Sequence, residues 1–234
     1  REFAVTLSVA NDAGLVDPAP LDVPVGSNQL AMPPLPPTYT QNWDGTAVGS
    51  LPSGWVNQEA GGYGRVDAYP VYSAPNSFCP AGDAGAAHRT LYMAGDGNGG
   101  DFVWDQWLHI NDGGSGIMEY RVQGASLDSY YDLQFFPNSG ANGGVSLNRS
   151  NAGVLTPVTR VGADGSYLAA GIPLHVTLTV QGTLHKVRVY RSDTSQYLTL
   201  AGAWSGTPQD CISVTDAGGL TGAGPFGYHW YASS

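Results

Sequence analysis

Residues 41–55 read Gln-Asn-Trp-Asp-Gly-Thr-Ala-Val-Gly-Ser-Leu-Pro-Ser-Gly-Trp, and this stretch decides the fold. A short apolar approach ends at Trp43-Asp44-Gly45, and a loop rich in glycine and proline then leads to Gly54-Trp55. Turns of this kind commonly join strands. The whole chain has the same character, because its 234 residues include 33 glycines and 16 prolines but one lysine and three glutamates. Since good helix formers are scarce, the composition predicts an all-β protein.

This opening resembles the start of bacterial and phage domains with the concanavalin A-like, or laminin G-like, jelly-roll fold. Those domains often begin with an aromatic-Asp-Gly element, a short excursion and a Leu-Pro-x-Gly-Trp run, which here is residues 51–55. The resemblance covers residues 39–234 and implies a two-sheet antiparallel sandwich. It also implies a domain that binds surfaces and sugars more often than it cleaves them.

The residues before this stretch predict a separate element. Residues 3–9 alternate strictly between apolar side chains and small or polar ones, and residues 21–25 repeat the pattern. This pair resembles the last hairpin of a fibronectin type III domain, although a plain hairpin of the main domain fits the same pattern. We therefore expect a hairpin over 1–26, a proline-rich linker over 27–38 and the sandwich over 39–234, with little packing of the hairpin on the sandwich.

Charge and hydropathy exclude several functions. The formal net charge is −10 and the sequence pI is about 4.6, whereas binding to nucleic acid or to an anionic membrane needs clustered Lys and Arg. No apolar run approaches the ~20 residues that span a bilayer. The chain begins at Arg1 without a signal-peptide pattern, so we expect a processed product or a piece of a longer protein.

Alternating segments predict the strands of the sandwich. The segments lie at residues 102–110, 117–122, 131–135 and 145–147, and the final strand lies near 226–231. Residues 175–180 and 187–190 predict a hairpin whose turn is at Gln181-Gly182.

The segment 102–110 carries the candidate ligand-binding residues. Phe102, Trp104, Leu108 and Ile110 fall on one face, which is apolar enough to be core; Val103, Asp105, Trp107 and His109 fall on the other. A tryptophan beside Asp and His can stack on the CH face of a sugar while the polar groups bond its hydroxyls. The alternative is that Trp107 packs under a loop. Tyr130 and Tyr131 are further candidates, because one of two adjacent strand residues must point outward.

Two other groups of residues have alternative interpretations. Asp96, Asn98 and Asp101 place oxygen ligands at near-alternate positions among glycines, as in a calcium-binding turn. The alternative is an Asp/Asn/Gly turn without an ion, which the sequence favours. Cys79 and Cys211 could form a disulfide that closes a long loop, or could be two thiols; their spacing excludes a CxxC redox or zinc pair.

Catalytic signatures are absent from the sequence. Glycosidases of the laminarinase type, which share this fold, carry Glu-x-Asp-x-x-Glu on one strand, and no such run occurs. Asp128 and Asp132 are the nearest local acidic pair, and their spacing is more typical of a strand entry. The sequence also lacks a Gly-x-Ser-x-Gly elbow and a His-Glu-x-x-His zinc motif.

The order of fibronectin-like hairpin, proline linker and jelly roll resembles bacterial surface proteins and the tail-tip or fibre proteins of tailed phages. The resemblance implies a non-enzymatic module that recognises a cell-surface glycan or receptor, located on a virion or outside the cell. It implies other subunits as partners, in some relatives as a homotrimer. A purely structural virion or spacer domain and a glycoside hydrolase are the alternatives.

Overall fold

A computed structural model describes residues 41, 43–58, 62–68, 76–82, 87–93, 100–110, 116–136, 144–162, 168 and 171–231. They belong to Pro36–Ser234, one of two units into which the chain divides. The predicted hairpin at 1–26 and linker at 27–38 lie outside the described residues and stay predictions. Every regular element of the described part is a strand. That part therefore has no helix long and apolar enough to cross a membrane.

Two antiparallel sheets and one small hairpin make up the fold, with strands numbered in chain order. The seven-stranded sheet has the order β1 (Trp55–Asn57), β4 (Ala87–Tyr92), β15 (Phe226–Tyr231), β6 (Gly116–Gln123), β7 (Ser129–Phe136), β8 (Gly144–Asn151), β9 (Val154–Val161). The six-stranded sheet has the order β13 (Trp204–Ser205), β12 (Gln196–Leu198), β11 (Leu184–Arg191), β10 (Leu174–Gln181), β5 (Phe102–Leu108), and β14 (Ile212–Thr215) also pairs with β11. The strands β2 (Gly62–Asp67) and β3 (Ser77–Gly82) pair with each other.

The hydrophobic core lies between the two large sheets. Burial alternates along β10, whose even-numbered residues from Leu174 to Val180 are buried, and the same alternation follows in β11. The six-stranded sheet contributes Val176, Leu178, Val187 and Val189 to one core cluster with Met118, Leu133, Phe135 and Leu147 of the seven-stranded sheet. The predicted all-β, two-sheet jelly-roll sandwich is therefore confirmed, because period-two alternation buries one face of each sheet against the other.

The stretch that opened the sequence analysis packs two tryptophans together at one end of the sandwich. Trp43 and Trp55 have ring centroids 5.3 Å apart, and Trp55 stacks on Tyr228 of the final strand at 5.7 Å. Gly54 has φ +86°, a conformation that glycine adopts without steric cost. The aromatic-Asp-Gly and Gly-Trp elements are thus the two sides of one aromatic cluster.

The cysteines are not bonded to each other, so the disulfide alternative is wrong. Cys79 lies on β3, whereas Cys211 is buried in the main core just before β14. Both are thiols. The Cys211 thiol donates to the carbonyl oxygen of Val187 at 3.3 Å, and burial raises its pKa to about 12. Cys211 therefore behaves as a small core residue.

A polar contact joins the two sheets inside the core. The hydroxyl of Tyr120 on β6 is hydrogen-bonded to Nδ1 of His185 on β11 at 2.9 Å, and both residues are fully buried. Tyr120 also stacks on Tyr131 at 5.3 Å. Burial, together with the nearby positive charge of Arg121, lowers the pKa of His185 from 6.5 to about 4, so the imidazole is neutral at pH 7.

We expect His185 to make the fold sensitive to acid. An unfolded histidine takes up a proton near pH 6.5 and the folded one near pH 4, so the stabilisation is complete above pH 6.5 and falls as the pH is lowered toward 4. Between pH 7.5 and pH 5 this residue should remove about 2 kcal/mol from the free energy of unfolding.

Urea denaturation of the wild type and of His185→Gln at both pH values measures this effect. The wild type should lose about 2 kcal/mol more than the variant between the two pH values. Equal losses in both proteins would contradict the assignment to His185, because its titration is missing in the variant and must make the two losses differ.

Candidate functional site

The outward face of β5 carries the exposed tryptophan that the sequence predicted. Exposure alternates along the strand, with Val103, Asp105 and Trp107 outward and Phe102, Trp104, Gln106 and Leu108 toward the interior. Trp107 is 36% exposed, and the side chain of Asp105 is 55% exposed. The face assignment is therefore confirmed, while the binding role of these residues stays a prediction.

Strand pairing extends Trp107 into a row of rings, which we call the aromatic row and which consists of Trp107, His175, Tyr190 and Tyr197. Trp107 lies opposite His175, His175 opposite Tyr190, and Tyr190 opposite Tyr197. The Trp107 and His175 rings stack with centroids 4.8 Å apart, and the Tyr190 and Tyr197 rings are 5.0 Å apart. Four adjacent strands, ~4.8 Å apart, give the row a length of roughly 14 Å.

Hydrogen-bonding groups lie beside the aromatic row. Oδ1 of Asp105 is 2.9 Å from Nε2 of His175 and accepts a hydrogen bond of 2.8 Å from the Thr177 hydroxyl. This carboxylate therefore holds the imidazole against Trp107 and still has its second oxygen. Rings next to a solvent-facing carboxylate and hydroxyl match the two demands of a sugar, an apolar CH face and a rim of hydroxyls.

The remaining predicted ligand-binding residues lie elsewhere. His109 follows the end of β5, and its Nε2 donates to the carbonyl oxygen of Gly171 at 3.0 Å. Tyr130 belongs to the other sheet, where the Arg89 guanidinium lies 4.7 Å from its ring centroid. Tyr131 is 0% exposed in the core, and its hydroxyl donates to Asp216 at 2.8 Å. The prediction that Tyr131 contacts a ligand is therefore wrong, because alternation on β7 turns its ring inward.

Tyr130 borders a buried polar cluster on the seven-stranded sheet. Glu119 lies directly opposite Asp132 on the neighbouring strand. Oε2 of Glu119 accepts from Nε of Arg89 at 2.8 Å, and Oε1 lies 2.9 Å from Nδ1 of His229. Asp132 accepts from Asn148 at 2.7 Å and from Gln134 at 3.0 Å.

The two carboxylates of this cluster bear on the glycosidase alternative. Burial is the main cause that raises the pKa of Asp132 from 3.8 to about 6. Glu119 and Asp132 are 0% and 2% exposed, whereas a glycosidase needs its two carboxylates in a cleft that admits sugar and water. The contacts of this cluster are those of a structural polar network.

The predicted calcium turn is described at one of its three residues. Asp96 and Asn98 lie outside the described residues, so the calcium site stays a prediction. Asp101 is described, and its Oδ1 accepts from the backbone N–H of Gly182 at 2.7 Å. In the part of the chain that the structure covers, no three His, Cys, Asp or Glu side chains are grouped as metal ligands.

Asp101 also lies next to a buried arginine that fixes the end of the β10–β11 hairpin. Arg121 is 1% exposed and has φ +51° at a β-bulge in β6. Its guanidinium donates to the carbonyl oxygens of Gly182 and Leu220, both at 2.6 Å, and to that of Gly100, at 2.9 Å from Nε. Regular alternation along β6 would place Arg121 on the face opposite to that of Tyr120, but the bulge turns its side chain toward the six-stranded sheet.

Sequence reasoning missed three of the four rings of the aromatic row. The sequence predicted that His175 and Tyr190 lie in one hairpin. Its turn lies at Gly182-Thr183, one residue later than predicted, so each residue of β10 pairs with a different residue of β11 than the predicted turn implies. The contact of Trp107 with His175 depends on the pairing of β5 with β10. No sequence signal gives that register, because 65 residues lie between the end of β5 at Leu108 and the start of β10 at Leu174.

Comparison with known proteins supports the fold. The fold resembles that of a solved structure described as carbohydrate binding module CBM66 from Bacillus subtilis, with a TM-score of 0.50 and 14% sequence identity over 76% of this chain and 88% of that chain. No protein-family model matches the chain, and no curated protein matches it. At this identity the likeness shows a shared jelly-roll sandwich and nothing about the ligand.

We expect Arg121→Met to destabilise the sandwich by about 3 kcal/mol. The substitution removes the donors of three carbonyl groups from separate segments, and each buried acceptor left without a donor costs about 1–3 kcal/mol. The measurement is the free energy of unfolding in urea. Arg65→Met is the matched control, since that side chain is 44% exposed and its loss should change stability by about 0.5 kcal/mol or less. Equal effects of the two substitutions would contradict the structural role of Arg121.

Proposed function

We propose that residues 39–234 form a non-enzymatic glycan-recognition module whose binding site is the aromatic row. The observation that carries this proposal is the exposure of Trp107 on an outward sheet face, where its ring stacks on His175 and the carboxylate of Asp105 contacts that imidazole. A tryptophan used only for packing would be covered, whereas this ring is partly open beside groups that bond hydroxyls. The jelly-roll fold is compatible with the proposal, and the similar Bacillus structure bears the description of a carbohydrate-binding module.

The cellular setting is a second part of the proposal. We propose that the module lies on a phage tail or on an extracellular bacterial protein, and that it recognises a host-surface glycan or receptor together with other subunits. This part rests on the predicted fibronectin-like hairpin and proline linker at residues 1–38. The low content of lysine and arginine, 9 of 234 residues, favours a protein that avoids nucleic acid.

Replacement of Trp107 by alanine tests the site. We expect Trp107→Ala to weaken binding to any polysaccharide that the wild type binds by ~1–3 kcal/mol, as for other aromatic stacking contacts. Its stability should fall by less than the ~3–5 kcal/mol that a fully buried tryptophan would cost, because the ring is partly exposed. Native gels containing soluble polysaccharides measure binding, and urea denaturation measures stability.

Val103→Ala is the matched control for this test. Val103 lies on the same strand and the same face and is 61% exposed, but it stands outside the aromatic row. Binding by this variant should equal that of the wild type. If Trp107→Ala is less stable than the wild type but binds polysaccharide equally well, Trp107 has a structural role. That result would favour the alternative of a purely structural spacer domain.

A further inference from the structure

The strand that supplies Tyr190 to the aromatic row also carries two outward cations. Lys186 and Arg188 precede Tyr190 on β11 at spacings of two residues, so all three side chains project from the same face. Successive outward residues of a strand are roughly 6.7 Å apart. Lys186 is the single lysine of the chain. The two cations therefore form a short basic strip that begins beside the rings.

Both cations are available to a ligand. Lys186 is exposed, and its ammonium group has no hydrogen-bond or ion-pair partner among the described residues. Arg188 donates from Nε and Nη2 to Oδ1 of Asp210 at 3.1 and 2.9 Å, with its side chain 45% exposed. An exposed pair of this kind contributes little to stability, and a guanidinium has five N–H groups. Arg188 can therefore bind a second anion at small cost.

The charge of this face differs from that of the chain as a whole. The chain has a formal net charge of −10, and such an excess repels anionic ligands over a distance of about a Debye length. On the outward face of the six-stranded sheet, however, Lys186 and Arg188 balance Asp105 and Asp210. An anionic group that reaches the β11 side of the aromatic row meets two cations and one carboxylate, that of Asp210 beside Arg188. Asp105 lies two strands away, roughly 10 Å distant.

From this arrangement we infer that the glycan bound by the aromatic row is acidic, with a carboxylate on its sugar rings. The inference rests on the proposed function and specifies its ligand class. One sugar ring stacks on the row, and its carboxylate accepts hydrogen bonds from Arg188. The next acidic residue of the glycan lies along β11 and reaches Lys186. Thr177 lies between Asp105 and Arg188 on the intervening strand, and its hydroxyl, which donates to Asp105, can accept a hydrogen bond from the sugar.

The test compares acidic polysaccharides with their neutral derivatives. Polygalacturonate, alginate and hyaluronan are the probes, each also in its carboxyl-reduced form, in which every carboxylate becomes a primary alcohol and the backbone is unchanged. Retardation of the 234-residue protein in native gels gives the affinities at low and at high salt. The variants are the double substitution Lys186→Gln with Arg188→Gln, Trp107→Ala, and the control Arg65→Gln on the β2–β3 hairpin.

We expect at least one acidic polysaccharide to be bound about tenfold or more tightly than its carboxyl-reduced form, as for hydrogen bonds to a charged group. The double variant should lose this preference, high salt should weaken it, and Arg65→Gln should keep it.

If the wild type instead prefers the carboxyl-reduced forms, and Trp107→Ala is the one variant that loses binding, the inference of an acidic ligand is wrong and the proposed glycan site stands. If Arg65→Gln and the double variant weaken binding to the acidic polysaccharides equally, the preference is a general effect of charge, and the inference of an acidic ligand is also wrong. If none of the polysaccharides, acidic or reduced, retards the wild-type protein, both the acidic ligand and the proposed glycan site are wrong.

Discussion

One buried cation holds together segments that are distant in sequence. Arg121 donates to the carbonyl oxygens of Gly100, Gly182 and Leu220, which lie 21, 61 and 99 residues away. Its positive φ at a bulge is strained for a residue with a side chain. The strain is tolerated because the three carbonyl groups and the guanidinium would otherwise be buried without partners. The end of the β10–β11 hairpin is fixed in this way.

The two faces of the six-stranded sheet have different chemistry for one physical reason. Alternate residues of β10 and β11 point inward, where Val176, Val187 and Val189 pack in the core, and the residues between them face solvent. The outward residues gain nothing from burial, so they can be polar or aromatic without loss of stability. On the seven-stranded sheet polar residues of the second face, such as Glu119 and Asp132, are also buried, and they accept hydrogen bonds from Arg89 and Asn148 respectively. That difference is why we place recognition on the six-stranded sheet.

Much of the fold was predictable because its signals are local. Glycine and proline at turns, few helix formers and alternation over a few residues are properties of short segments. Strands were predicted at 102–110, 117–122 and 131–135 and a hairpin at 175–190, and the structure has strands at 102–108, 116–123 and 129–136 and a hairpin at 174–191. The burial of Glu119 was not predictable, since alternation places a side chain on a face and does not say what covers that face. The sequence also left undecided whether Cys79 and Cys211 form a disulfide, because the distance between two thiols depends on the tertiary structure.

The candidate site shows the same division between local pattern and long-range pairing. By itself the sequence determined that Trp107 and Asp105 share an outward face, since the opposite face of β5 is apolar and the side-chain period of a strand is two. Only the tertiary structure decided that His175 stacks on Trp107, that Tyr190 and Tyr197 continue the row, and that Lys186 and Arg188 lie beside it. Backbone hydrogen bonds can form in any register, because backbones carry no residue identity. The register therefore follows from the packing of the whole sandwich.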